Sequence, residues 1–160
     1  MGPRTLVWRK EGRRGRLVRH VIVADSTTLG GGEKGLFAWN PSFEVDDCLG
    51  WYTGDETVYR TPASADRACK GVQKRSAYAM RLDRNDKFLV VDAAHTPDAF
   101  LRYVNDPRGT PVEHENVHFD MLAGKCTAHM HIPAFALDKT DADNAGAEIW
   151  CEYSKHAWCH

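Results

Sequence analysis

Turn residues cut this 160-residue chain into short apolar segments, and that punctuation constrains the fold more than any other feature. Residues 17–24 are rich in β-branched side chains and predict a strand. Residues 25–34 contain Gly30-Gly31-Gly32 and predict a loop, because glycine tolerates backbone angles that other residues avoid. Strands are predicted again from residue 35 and over 48–53, 88–93, 116–122, 127–132 and 148–153. Residues 77–82 alternate loosely, and Arg84-Asn85-Asp86 has turn chemistry. One stretch reads as a short helix, 63–72, with Thr61 as N-cap and Pro62 at the first helical position. Residues 97–104 predict one or two helical turns, and 107–115 and 138–146 predict loops. Many short strands with little helix predict a mainly β fold.

Length and composition narrow the class further. At 18.0 kDa the chain has the size of one domain and can bury a core without metals or disulfides. Residues 1–16 read as a basic N-terminal arm and 17–160 as one domain, with 61–75 a helical insert. No apolar run approaches the ~18 residues of a membrane span. Charge interrupts the apolar stretch after the Arg-rich opening, so the start does not read as a secretory signal. The five cysteines, Cys48, Cys69, Cys126, Cys151 and Cys159, are odd in number and form no C-x-x-C. That argues against a disulfide framework and for a reducing, intracellular compartment. The formal net charge of −1 conceals a polarity. Residues 1–20 carry seven Arg/Lys against one Glu, and residues 98–160 carry five against ten acidic groups.

Three local patterns have chemical potential. Cys126-x-x-His129-x-His131 has metal-ligand types, and on a strand 129 and 131 share a face. Nothing nearby completes a four-ligand or three-ligand set, so the pattern reads as a strand with two polar residues on its solvent face rather than as a metal site. No G-x-S-x-G or P-loop is present, and the glycine run enters a strand rather than the helix N-terminus that would hold phosphate. The basic arm, with Arg4, Arg9, Lys10, Arg13, Arg14 and Arg16 around Trp8, suits phosphate contact with DNA or nuclear import. A solvated arm is the commoner outcome for such a charge run.

Four further segments, in order, carry a resemblance. Gly32-Glu33-Lys34-Gly35-Leu36-Phe37-Ala38 is similar to the G-x-G motif that opens SET domains. Gly50-Trp51-Tyr52-Thr53-Gly54-Asp55 resembles their E-Y-x-G-E strand end. Arg102-Tyr103-Val104-Asn105-Asp106-Pro107, continued by Asn116-Val117-His118-Phe119, resembles the R-F-x-N-H-S-C-x-P-N segment. Glu148-Ile149-Trp150-Cys151-Glu152-Tyr153 resembles the closing E-L-T-Y-D-Y. Val91-Asp92-Ala93 matches the strand that precedes the N-H-S segment. The resemblance, over about residues 17–158, is to a compact SET-domain protein lysine methyltransferase.

That resemblance implies a mainly β fold of several small sheets around a knot-like crossing, with a few short helices. It implies S-adenosylmethionine as methyl donor, a basic protein such as a histone tail as partner, and a nuclear location for such a substrate. Tyr153 takes the place of the catalytic tyrosine. Lys34, Gly35, Leu36, Phe37, Arg102, Tyr103 and Asn105 fall at cofactor-binding positions, and Trp158 is expected to cover that pocket. Tyr52, Phe119 and Cys151 fall along the lysine channel, where a small Cys151 leaves room for higher methylation. The family's His-Ser-Cys is Asp106-Pro107-Arg108 here. With Arg108 at the place of a zinc-binding cysteine, no metal is expected. Two alternatives stand beside the enzyme: a non-catalytic SET-like protein-binding module, and a small β nucleic-acid-binding protein using its basic arm.

Overall fold

The computed structural model describes residues 5–11, 17–26, 28–39, 43–70, 78–120, 124–132 and 146–153. The described strands are β1 (Thr5–Glu11), β2 (Leu17–Asp25), β3 (Lys34–Trp39), β4 (Cys48–Trp51), β5 (Asp55–Tyr59), β6 (Ala79–Arg84), β7 (Lys87–Asp92), β8 (Val117–Phe119), β9 (Lys125–Ala128) and β10 (Ala147–Glu148). A single α-helix among the described residues, α1 (Pro62–Lys70), follows β5, and a 3-10 turn covers Phe100–Tyr103. The strands form three small sheets, ordered β1-β2-β3-β10, β4-β9-β8 and β5-β7-β6. The protein is therefore mainly β, as the punctuated sequence predicts. Contacts divide the chain into two compact units assembled from interleaved stretches.

The first unit comprises Met1–Asp47, Tyr103–Val117 and Ala128–Cys151. Its sheet brings the last strand beside the third. β2 pairs antiparallel with β3 from His20↔Trp39 to Asp25↔Lys34, and β10 pairs with the other edge of β3 through Ala147↔Ala38 and Glu148↔Phe37. Ile22, Ala24 and Phe37 cluster in the core, and Val21, Leu36, Ala38 and Ile149 are also fully enclosed. The β2–β3 connection closes on itself: Ser26 N donates to Glu33 O at 2.7 Å and Gly30 N to Ser26 O at 3.1 Å. Gly30, Gly31 and Gly32 all take left-handed φ values of 67°, 62° and 79°, which a run of side chains would resist.

The second unit comprises Cys48–Arg102, His118–Thr127 and Glu152–His160. β6 and β7 form a hairpin whose turn residues Asn85 and Asp86 have φ of 52° and 59°, the pairing that matches strand twist in a two-residue turn. Helix α1 starts as read: Thr61 Oγ1 accepts from Ser64 N at 3.1 Å, capping the first turn. Its buried face packs Cys69 against Ala79 and Val90. Arg81 ties the helix to the sheet, with Nη1 2.6 Å from Asp66 Oδ1 and Nη2 3.3 Å from Asp83 Oδ1.

Several expectations change. Thr5–Glu11, expected within a solvated arm, forms β1 and pairs antiparallel with β2. Its Thr-Leu-Val-Trp core favours a strand, and an edge position tolerates the charges that follow. β5 was not anticipated, because Gly54-Asp55 reads as a stop. It is an edge strand held by backbone pairing with β7, and Val58 stays 58% exposed. The last strand ends earlier than residue 153: past Glu148 the pairing continues through the Ile149 N–H to Leu36 O and an isolated parallel bridge, Asn105↔Trp150. β9 likewise ends at Ala128, so His129 and His131 lie beyond it and share no strand face. Among the described residues no three His, Cys, Asp or Glu gather as a metal-binding group. Cys69 is disulfide-bonded, against what the scattered cysteines suggest. Trp158, Arg4, Arg13, Arg14 and Arg16 lie outside the described residues, as does the end of the 61–75 insert beyond Lys70.

Candidate functional site

In the first unit the motif residues converge on one asparagine. Asn105 Nδ2 donates to Lys34 O at 2.8 Å and to Glu148 Oε1 at 3.1 Å. The reverse orientation of the amide would set its oxygen against the Lys34 carbonyl, two acceptors without a proton, so the network fixes the amide one way. Both N–H groups are then committed inside the protein. Among the described residues nothing donates to Asn105 Oδ1, which leaves one acceptor for a ligand. The backbone of Asn105 is held too, since its carbonyl accepts from Cys151 N at 2.9 Å.

Glu148 completes that network. Its Oε2 accepts from Ser26 Oγ at 2.9 Å, and the same hydroxyl accepts from Leu29 N at 3.2 Å. One carboxyl group thereby joins β10, the asparagine and the glycine loop. Burial raises the Glu148 pKa above the ordinary 4.5, partly offset by the hydrogen bonds from Asn105 and Ser26. Folding then favours the protonated form, so this group's contribution to stability is fully present below the ordinary carboxylate value and is lost as pH rises through the raised one. Glu148→Gln removes that dependence. The melting temperature of the variant, relative to wild type, is expected to climb as pH rises from the ordinary carboxylate value through the raised one. Parallel thermal melts read this directly; a constant offset across that range contradicts it.

A second asparagine fixes the end of the chain in this unit. Asn116 Nδ2 donates to Glu148 O at 3.0 Å and its Oδ1 accepts from Trp150 N at 2.8 Å. The side chain thus pairs with the backbone like one more strand residue. Along β3, Leu36 and Phe37 are buried, and Leu36 O accepts from Ile149 N at 2.7 Å. The Lys34 amine forms an ion pair with Asp25. Since the carbonyls of Lys34, Leu36 and Gly30 are already engaged by the protein, the open backbone of this motif lies in the loop at Gly31 and Gly32. Cys151 is fully buried, and Tyr103 is half-buried at the end of its 3-10 turn.

In the second unit the tyrosines gather. Tyr52 is 3% exposed and its hydroxyl donates to Tyr78 O. The ring of Phe119 meets the Tyr52 ring edge-on, centroids 6.0 Å apart at 85°. Burial pushes the Tyr52 phenol far above its usual pKa, with smaller contributions in the same direction from Tyr153, Asp92 and Tyr78 against an opposing one from Arg102. Tyr52 therefore stays a neutral donor at any working pH. The same influence places the half-buried Tyr153 in the electrostatic neighbourhood of Tyr52, and Tyr52 and Phe119, two of the three expected channel residues, meet each other. Arg102 donates from Nη1 to Ala93 O at 2.9 Å and Ala94 O at 3.2 Å, and its guanidinium lies 5.6 Å from the centre of the Tyr78 ring. These contacts make Arg102 a clamp on the segment after β7.

Ser26 and Glu148 were missed as site residues. Glu148 was visible only as a motif letter, and Ser26 carried no signal beyond its place before the glycines.

No protein-family model matches the chain, and no curated protein matches it. Among solved structures, CpSET8 from Cryptosporidium aligns with 89% of this chain at a TM-score of 0.57 and 16% identity. The chain spans 61% of the length of that protein's solved chain. At this identity the likeness speaks to architecture alone: the chain has a mainly β, SET-like fold.

Proposed function

We propose that this protein is an S-adenosylmethionine-dependent protein lysine N-methyltransferase acting on a basic substrate such as a histone tail. The observation that carries the reading is the Asn105 amide, held by Lys34 O and Glu148 with only its oxygen left to a ligand, on a SET-like fold. An acceptor to which no described residue donates, beside a partly buried carboxyl, suits the cationic amino-acid end of that cofactor. The left-handed glycines add to the fit, since a Cβ built on Gly30, Gly31 or Gly32 meets nothing within 4 Å and the loop surface stays open. The residues present therefore fit the group.

When bound, the cofactor supplies a methyl group activated by a sulfonium. The protein must then deliver an uncharged amine, because a lysine with pKa near ~10.4 is almost wholly protonated at neutral pH. Tyr153 is assigned to that amine, as hydrogen-bond partner and guide. Tyr52 and Phe119 supply an apolar wall whose one hydroxyl is already turned to Tyr78 O, so the wall offers the ammonium form little solvation. Orientation of the reacting groups provides much of the acceleration in such a displacement. The acidic excess of residues 98–160, with Glu113 exposed and Glu115 half-buried, favours a basic peptide.

Calorimetric titration with S-adenosylmethionine tests the reading at its first step. Micromolar binding is expected. No heat with the cofactor, together with binding to duplex DNA that collapses as salt rises, favours the nucleic-acid alternative instead.

A further inference from the structure

We infer that Glu148 is the positioning residue of this site: its carboxyl group fixes the Asn105 amide so that Oδ1 is the acceptor for a cationic amino group of the ligand, and holds the glycine loop in place through Ser26. The inference rests on the cofactor reading above and adds to it the residue that sets how the ligand's amino-acid end is recognised.

The geometry supports this from three directions. First, both carboxyl oxygens are in use, Oε1 by Asn105 Nδ2 and Oε2 by Ser26 Oγ. Oε1 accepts from Asn105 Nδ2 beside Lys34 O, and two acceptors on that side set which end of the Asn105 amide faces them. Second, Ser26 is 3% exposed, the buried polar residue among the described residues, and it organises the loop. Its N–H reaches Glu33 O, its carbonyl accepts from Gly30 N, and its hydroxyl accepts from Leu29 N. Glu148 therefore acts on the loop through a single hydroxyl. Third, Gly35 leaves the space that the carboxyl occupies. A Cβ at residue 35 would stand 2.2 Å from Glu148 Oε1 and 2.9 Å from Cδ. The glycine of the motif is thus required for close approach of the glutamate.

The test compares two ligands that share an adenosine end: S-adenosylhomocysteine, which carries the α-ammonium, and 5′-methylthioadenosine, which lacks it. Both are titrated into wild type, Glu148→Ala and Glu148→Gln. Glutamine keeps the acceptor toward Asn105 and can donate to Ser26 Oγ, so it preserves the network. In Glu148→Ala, S-adenosylhomocysteine is expected to bind about 10–100-fold more weakly, the order seen when a group that orients a ligand-binding residue is lost. Glu148→Gln is expected to recover to within about threefold, and 5′-methylthioadenosine to bind all three proteins alike. Equal weakening of both ligands overturns the inference by showing a merely structural role, and unchanged binding of both overturns it too. If wild type binds neither ligand, the methyltransferase reading fails on its own. The Asn105 side-chain amide protons then decide: slow exchange in wild type that is lost in Glu148→Ala supports the pin, and fast exchange in wild type overturns it.

Discussion

Tyr153→Phe is expected to lower methyl transfer by about a hundredfold or more while leaving the protein folded and able to bind cofactor. The substitution removes one hydroxyl and keeps the ring, so packing around the half-buried side chain changes little. What is lost is the polar group assigned to the substrate amine, in a neighbourhood where Tyr52 cannot replace it. The Tyr52 hydroxyl is turned to Tyr78 O, and burial holds it protonated. Transfer of labelled methyl to core histones measures the rate, and calorimetry with the cofactor separates binding from turnover. A variant as active as wild type removes Tyr153 from the mechanism.

The second large effect is on stability. Gly54→Ala is expected to destabilise the protein by about 3 kcal/mol, at the upper end of overpacking changes. A Cβ there would stand 2.3 Å from Asp92 O, 2.6 Å from Asp92 C and 2.8 Å from Ala93 N. All three are backbone atoms at the end of β7, which pairs with β5 on one side and β6 on the other. They cannot swing aside as a side chain does. Movement would also drag the segment that Arg102 clamps and the Ala93 N–H that donates to Tyr78 O at 3.1 Å. Gly35→Ala supplies the contrast, since the group it meets is the flexible end of Glu148. That variant is expected to unfold closer to wild type in denaturant and to lose affinity for S-adenosylhomocysteine instead. If Gly54→Ala unfolds at the wild-type denaturant concentration, the close approach to β7 is not rigid.

What was legible in the sequence was local. The β2–β3 loop follows from three glycines, the β6–β7 turn from Asn85-Asp86, and the start of α1 from Thr61 and Pro62, each a preference of a few adjacent residues. β1 and β5 were hidden because edge strands need little apolar periodicity: backbone pairing holds them, and their outer groups stay polar. The resemblance located Asn105 and Lys34, 71 positions apart, but not the carboxyl that joins them to the loop. Glu148 and Ser26 are 122 residues apart, and no periodicity or spacing rule relates residues so distant. The charge polarity was legible in the count, whereas the folding of the basic segment into β1 was not.

Mass spectrometry of core histones, and of the protein itself, after incubation with isotopically labelled S-adenosylmethionine tests the central claim most directly. The account predicts labelled methyl increments on lysine side chains with wild type and their near absence with Tyr153→Phe. Histones unlabelled at every lysine, with a wild-type protein that is folded and saturated with cofactor, would contradict it.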